Sequence, residues 1–414
     1  MPLIQNIRGI SYAGAWMAYG LHEDGFAAGL RCAIDHLGAE IPWRFQDART
    51  IEGVVPTLTI SEQFFVDLLV DPASRGVTDI VHKPVAVASR SLAKATKFIA
   101  DHGKGIDGVR AYGSYADLVA DPDVDIVYVG TPHSSHYEVS LQALKAGKHV
   151  LCEKILTINA AQARHLADYA KSHDLFIMEA VWTRFFPLSL ELRKKLHDEN
   201  AIGAIRRVTA DVGFVAVPDI KSRLYDPFLA GGALFDVGVY PMAWIQMICY
   251  HHPENKKSPP SMIKSSMVKS RLTGVDESTV ITMVWDELHI ISVSTCSIVV
   301  DSPKDCAIRV QGDRGEVIIP SPTYRPVKFT IRIYGSEGKE DDVKTYDFPI
   351  PGPMGFFWEA DAVARDIRDG KIVDDNYSIE ESVSLMERFD QVRQENGLKY
   401  PAEIEFVGES DGIA

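Results

Sequence analysis

The chain has 414 residues, 46% of them hydrophobic and 24% charged, with a formal net charge of −14. That length accommodates two domains with real cores, and the acidic balance argues against a nucleic-acid partner. No apolar run approaches the roughly 18 residues that a membrane helix needs, and no membrane span is expected. The five cysteines are scattered without a CxxC pair, which indicates neither a disulfide framework nor a zinc knuckle and suits a reducing, cytoplasmic setting.

Residues 1–52 show no sustained hydrophobic period and remain unassigned. The apolar run at 9–21 follows a single basic side chain, Arg8, and has no clear cleavage site, so it is not read as a secretory leader. From residue 53 the pattern is α/β. A helix is expected over 61–69 with Phe64, Leu68 and Leu69 on its apolar side. The run before it carries Pro56, Thr57 and Leu58 where a GxGxxG turn would let a helix N-terminus take a pyrophosphate. Residues 84–89 read as a buried parallel strand. At its end Ser89 and Arg90, followed by Ser91, place a cation between hydroxyls, which suits a 2′-phosphate and favours NADP over NAD. A literal GxGxxG from Gly103 to Gly108 follows a helix and precedes a strand, the reverse of the order that binds a dinucleotide, and reads as a surface loop.

The stretch 125–154 carries the most information. It predicts a strand at 126–129, a helix over 135–146 with Val139, Ala143 and Ala146 on one stripe, a stop at Gly147 and a strand at 149–152. Ligands of open α/β sheets lie outside the carboxyl ends of the strands, so Thr131, Pro132 and His133 should face the same bound molecule as Glu153 and Lys154. His133 and His136 lack companion ligands at metal spacing, and no metal site is expected. A helix over 160–173 and a strand at 176–180 complete this domain. From 207 onward alternating strands predict a mostly antiparallel sheet, closed by helices over 356–370 and 379–397. A glycine-opened helix over 231–240 places Asp236 and Tyr240 four apart on one face. The expected division is therefore 1–52 unassigned, 53–181 dinucleotide-binding, 182–401 for substrate and dimerisation, and 402–414 a tail.

Three stretches, TPHSSHYE at 131–138, AGKHVLCEK at 146–154 and GGALFDVGVYP at 231–241, resemble the glucose-fructose oxidoreductase/inositol dehydrogenase (Gfo/Idh/MocA) family of nicotinamide-dependent dehydrogenases. The likeness is to its dimeric dihydrodiol dehydrogenase and D-xylose dehydrogenase branch, and it runs from about residue 60 to about 401. The resemblance implies a Rossmann-like doubly wound parallel sheet followed by an α+β domain with a large, mostly antiparallel open sheet, paired as a homodimer. It puts Thr131, Pro132, His133 and His136 beside the nicotinamide, with Glu153 and Lys154 next to them, and Trp182 and Arg184 in the substrate pocket. Lys154, Asp236 and Tyr240 are then the catalytic group, with Tyr240 as acid-base, Lys154 supplying charge and Asp236 orienting the pair. The substrate implied is a D-xylose-like sugar or a trans-dihydrodiol. Ile155 stands where the family usually has proline. The rival reading is a non-catalytic dinucleotide-binding regulatory protein, or an inactive variant whose glycine turn is disrupted.

Overall fold

The computed structural model describes residues 60–103, 105–336 and 339–408. The unassigned segment 1–52 and the glycine-poor run 53–59 lie outside them.

Short strands and helices alternate in the first half. Helix α1 (Ile60–Leu68) leads to β1 (Ala86–Ala88), α2 (Leu92–His102), β2 (Arg110–Tyr112), α3 (Tyr115–Val119) and β3 (Ile126–Val129). Then come α4 (His136–Lys145), β4 (His149–Glu153), α5 (Ala160–Ser172), β5 (Ile177–Ala180) and α6 (Pro187–Arg193). All pairings here are parallel, in two ladders of order β1-β2 and β3-β4-β5. β4 is the middle strand of its ladder, and Val150 to Glu153 are all buried on it, as expected for a strand covered on both faces. α5 starts where the Asn159 side chain accepts the Gln162 N–H at 2.9 Å, a regular N-cap.

The apolar side of α1 differs from expectation. Phe64, Phe65 and Asp67 are buried, whereas Leu68 and Leu69 are only partly covered. The reason is polar: the Asp67 carboxylate accepts the N–H groups of Met354, Gly355 and Phe356 at 3.1, 2.5 and 2.7 Å, which turns that face of the helix inward.

The second half is built on one eight-stranded sheet. Its strands are β6 (Ile205–Gly213), β7 (Met262–Lys269), β8 (Asp276–Trp285), β9 (Ile290–Ser297), β10 (Ile308–Gly312), β11 (Gly315–Ile319), β12 (Lys328–Ile333) and β13 (Asp342–Asp347), in the order β13-β12-β11-β10-β6-β9-β8-β7. Each neighbouring pair is antiparallel except β6 with β9. The last strand, β13, escapes a pattern search because its residues are polar and mostly exposed, as suits an edge. One face of the sheet buries Val208, Ala210, Ile281 and Met283 beneath α7 (Ala233–Asp236) and α8 (Val239–Ile245). The other face stays open. Two long helices, α9 (Phe357–Arg368) and α10 (Ile379–Asn396), return across both halves, and α11 (Ala402–Glu405) follows.

Two expectations need correcting here. The helix read over 231–240 is two helices, broken at Val237 and Gly238. Around it, Pro227–Tyr250 is long and apolar enough by composition to cross a membrane, contrary to the expectation that no run reaches that length, and 89% of its most apolar window is buried inside the protein. It forms the centre of the core through Leu234, Phe235, Met242, Trp244 and Ile248.

Beside β4, Glu179 on β5 is enclosed. Its Oε1 accepts the Leu156 N–H at 2.9 Å and its Oε2 accepts the Tyr377 hydroxyl at 3.0 Å. Burial outweighs these bonds and raises the carboxyl from an ordinary 4.5 to about 7. A carboxyl raised on folding contributes stability that is full below its unfolded pKa and is lost as pH rises through its folded one. Glu179→Gln should therefore hold its stability from pH 5 to 8 while the wild type loses on the order of 3 kcal/mol, measured by urea unfolding across that range.

Candidate active site

Lys154 is the first residue past β4, and its side chain is largely buried. A buried ammonium needs partners, and it finds them on the two short helices of the second half. Nζ donates to the backbone carbonyl of Asp236 and lies 3.7 Å from Asp236 Oδ1. It also sits 5.2 Å from the centre of the Tyr240 ring. Asp236 and Tyr240 thus meet at Lys154 even though the helix between them is broken.

The acid is fully ionised. Burial alone would raise the Asp236 carboxyl, but Lys154 and Arg223 outweigh burial and hold it at about 2. The Tyr240 phenol moves the other way, pushed well above its usual range by burial and then by the Glu153 carboxylate. Trp182 Nε1 donates to the Tyr240 hydroxyl at 3.3 Å, and the Trp182 indole stacks on Phe356 at 4.0 Å. Tyr324 lies 5.6 Å from the Tyr240 ring and, at 38% exposure, is the open side of this aromatic group.

The turn after β3 closes the site from the first half. His133 Nδ1 donates to the Ala230 carbonyl at 3.1 Å, which fixes the tautomer and leaves Nε2 as an acceptor. Burial, with His136 and Lys154 nearby, lowers the ring to about 3, so it is neutral. His136 is completely buried, with Nδ1 at 2.8 Å from the Ile155 carbonyl and Nε2 at 2.8 Å from the Thr131 carbonyl. It clamps the turn at 131–136 onto the segment that follows Lys154. Thr131 Oγ1 is buried without a hydrogen-bond partner, and Pro132 keeps an extended backbone at φ −61°, ψ 154°. Glu153 accepts the Tyr128 hydroxyl at 2.7 Å; burial raises its carboxyl, an effect that this bond and Lys154 partly offset.

Ser89 and Arg90 lie just past β1, on the separate two-stranded ladder. Ser89 N–H donates to the Tyr112 carbonyl at 3.2 Å, and Arg90 is exposed. Among the described residues no hydrogen bond, ion pair or ring contact joins either to the Lys154 group. Arg184 also stands apart from it, against expectation. Its guanidinium donates to Glu381 Oε1 at 2.7 Å and to the Asn376 carbonyl at 2.6 Å, and lies 5.1 Å from the Tyr377 ring centre. With 1% exposure it has no surface to offer a substrate. An arginine two residues from a pocket tryptophan reads as a pocket residue in one dimension, but its long side chain reaches across to α10. The described residues contain no group of three or more metal-ligating side chains.

The residue missed in the sequence is Arg223. It pairs through NH1 with Asp236 Oδ1, from an irregular loop that no periodicity marks. The paired glycines were the available signal. A Cβ on Gly231 would come within 2.6 Å of the Leu224 carbonyl oxygen and 2.8 Å of that of Arg223, and Gly232 adopts φ 121°. The double glycine is needed because the loop carrying Arg223 passes directly over it.

A parallel α/β half followed by a large open sheet, with a lysine, an acid and a phenol gathered at the end of a parallel strand, defines a dinucleotide-dependent oxidoreductase fold. Residues 67–181 match the oxidoreductase family with an NAD-binding Rossmann fold, GFO/IDH/MocA, and residues 191–318 match the GFO/IDH/MocA C-terminal domain. The chain is 41% identical over 369 residues to the D-xylose 1-dehydrogenase (NADP(+)) of Hypocrea jecorina, covering 84% of this chain and 92% of that one. It is 34% identical to the trans-1,2-dihydrobenzene-1,2-diol dehydrogenase of Danio rerio, covering 84% and 97%. Among solved structures, levoglucosan dehydrogenase in complex with NADH and levoglucosan superposes with a TM-score of 0.69 at 16% identity, covering 81% of this chain and 94% of that one. The aldose-aldose oxidoreductase of Caulobacter crescentus gives 0.64 at 21%, covering 76% and 90%. The chain belongs to the GFO/IDH/MocA oxidoreductase family, as its three motifs led one to expect.

If Arg184 serves the fold, Arg184→Ala should destabilise the protein by about 3–5 kcal/mol, because Glu381 is left buried without its cation. Denaturant unfolding checks this, and the substrate KM of the folded fraction should stay within about threefold of wild type, less than the loss of one substrate hydrogen bond.

Proposed function

We propose that this chain is an NADP-dependent dehydrogenase acting on a CH–OH group of a D-xylose-like aldopyranose or an aromatic trans-dihydrodiol. The observation that carries the reading is the convergence of Lys154, Asp236 and Tyr240 in a chain 41% identical to a D-xylose 1-dehydrogenase (NADP(+)). The residues fit the cofactor. Thr131 Oγ1 is a buried polar atom without a partner at the carboxyl end of β3, where such sheets place a dinucleotide, and Arg90 stands exposed past β1 for a 2′-phosphate. NADP, when bound, supplies the hydride acceptor at its nicotinamide ring.

The chain's own residues manage the proton. Tyr240 keeps its proton in this environment, so the phenol is ready to donate to a carbonyl oxygen in the reductive direction. In the oxidative direction the hydroxyl proton of the substrate passes to the Tyr240–Lys154 pair. Oxidation therefore needs the pair one proton short, and its rate rises with pH. Asp236, ionised down to about pH 2, anchors the ammonium beneath the phenol throughout. Trp182 holds the phenolic oxygen from one side, its indole fixed by stacking on Phe356.

We also infer a homodimer formed through the open face of the large sheet. On that face Met262 and Val268 of β7, Val280 of β8, Ile291 of β9 and Val343 of β13 are 40–63% exposed, and strand register puts them on the side opposite the core. The apolar residues of β7, β8 and β9 gather at one end of that face, and a patch of this kind favours a self-complementary partner. Free Cys152, Cys249, Cys296 and Cys306 suit a reducing compartment such as the cytoplasm.

Tyr240→Phe and Lys154→Ala should each lower kcat by at least about a hundredfold with D-xylose or a trans-dihydrodiol, leaving NADPH affinity within a few-fold, since both act on the moving proton. Steady-state assays with fluorescence titration of NADPH read both quantities, and near-normal turnover of the Phe variant removes Tyr240 from its role. Arg90→Ala should weaken NADPH by roughly tenfold or more and NADH hardly at all; equal weakening in paired titrations would mean that Arg90 does not meet the 2′-phosphate.

A further inference from the structure

Asp236 is shared. Its Oδ1 takes the guanidinium of Arg223 in a direct ion pair, while the Lys154 ammonium stays at 3.7 Å from that same oxygen. The sharing is imposed by the backbone. The Gly232 N–H donates to the Leu224 carbonyl at 2.8 Å and the Gly231 N–H to the Asp226 carbonyl at 3.0 Å, which lashes the loop at 222–226 to the double glycine immediately before α7. The carbonyls of Arg223 and Leu224 fill the space that a side chain at Gly231 would need. Arg223 is thus delivered to Asp236 by a turn that admits no other residue at that glycine. More than half of its side chain remains exposed.

Resting on the reading of Lys154, Asp236 and Tyr240 given above, we infer that Arg223 is a positioning residue for proton transfer. By occupying Asp236 Oδ1 it restricts Lys154 to a longer, weaker pairing with that carboxylate and leaves the ammonium turned toward Tyr240. The groups facing Lys154 are Asp236 from α7, Tyr240 from α8, Glu153 on its own strand, His133 and His136 from the turn after β3, and Arg223 from the loop. The two histidines are buried, and their rings are shifted toward the neutral form. Arg223 is therefore the one fixed positive charge competing with Lys154 for Asp236 among these groups. Removing it gives Lys154 sole possession of the carboxylate and takes away a neighbouring like charge, and both changes make the ammonium hold its proton more tightly.

Arg223→Gln and Arg223→Lys should separate this role from a structural one without relying on turnover. Competitive acetylation of lysines on the cofactor-free folded protein, read by mass spectrometry near pH 9, reports how much of Lys154 is unprotonated. With Arg223→Gln its labelling should fall by roughly three- to tenfold relative to other lysines, equivalent to half to one pKa unit, and Arg223→Lys should restore it. A loop merely loosened by the substitution would expose Lys154 and raise its labelling, and unchanged or increased labelling overturns the inference. In active enzyme, the pH at which oxidative kcat reaches half its plateau should rise by a similar half to one unit in Arg223→Gln and return in Arg223→Lys. A wild-type protein that oxidises neither sugars nor dihydrodiols would overturn the proposed function instead, with the labelling result still deciding the role of Arg223.

Discussion

A lysine ammonium held out of water at the end of a central strand is the constraint on which this structure turns. Desolvating that charge costs several kcal/mol unless partners compensate. β4 is buried on both sides, so Lys154 emerges into the joint between the halves rather than into solvent. The direct contacts of its ammonium come from the other half: the Asp236 carbonyl and carboxylate on α7 and the Tyr240 ring on α8. Satisfying the lysine and docking the two halves are therefore the same event. The meeting of Lys154, Asp236 and Tyr240 follows as a by-product of burying one charge well.

The remaining ties across the joint obey the same rule of charge answered by fixed donors or acceptors. Asp67 of α1 collects three successive backbone N–H groups at the start of α9. Arg75 and His82 converge on Asp361 at 2.6 and 2.7 Å. Arg184 reaches Glu381 of α10, whose other oxygen meets His251 at 2.6 Å. Gln162 of α5 donates to the carbonyls of Ile404 and Phe406 at 2.9 Å. Each pair lies far apart in the chain, and each is enclosed, where removing one partner leaves an expensive group behind. The apolar core gives the two halves cohesion, and these polar ties give them register.

What was legible in the sequence was local. The 126–153 βαβ unit and the sheet from β6 to β12 follow from side-chain period, and Lys154, Asp236 and Tyr240 sit in motifs whose spacing survives in three dimensions. What was illegible depends on long-range partners. Leu68 and Leu69 read as the apolar side of α1 until Asp67 finds the N–H groups of residues 354–356, nearly 290 positions away. Arg184 reads as a pocket residue until its side chain reaches α10. Arg223 gives no signal of its own, because the loop that carries it is ordered by a double glycine downstream and not by any pattern around it. The helix at 231–240 was over-extended for a similar reason. A Cβ on Gly238 would meet the Leu234 carbonyl at 2.5 Å and Cys296 Sγ at 3.1 Å, a close approach between the break and β9 that propensity alone does not show.

The parallel half divides its work between two ladders that share no hydrogen-bonded strand pair among the described residues. Arg90, the residue proposed to choose between coenzymes, follows β1 on the first. Lys154 ends β4 on the second, and α1 braces it there through a chain of contacts: Ser61 Oγ donates to the Gly130 carbonyl at 3.1 Å, Phe64 stacks on Tyr128 at 3.7 Å, and the Tyr128 hydroxyl donates to Glu153. Glu153 is the covalent neighbour of Lys154 and also bears on the Tyr240 phenol. The position of α1 is therefore felt at Lys154 and Tyr240 through Tyr128 and Glu153, whereas nothing in that chain touches Arg90. The coenzyme choice proposed for Arg90 and the proton chemistry proposed for Tyr240 thus rest on separate supports, so a change at Arg90 leaves the charges around Tyr240 as they are.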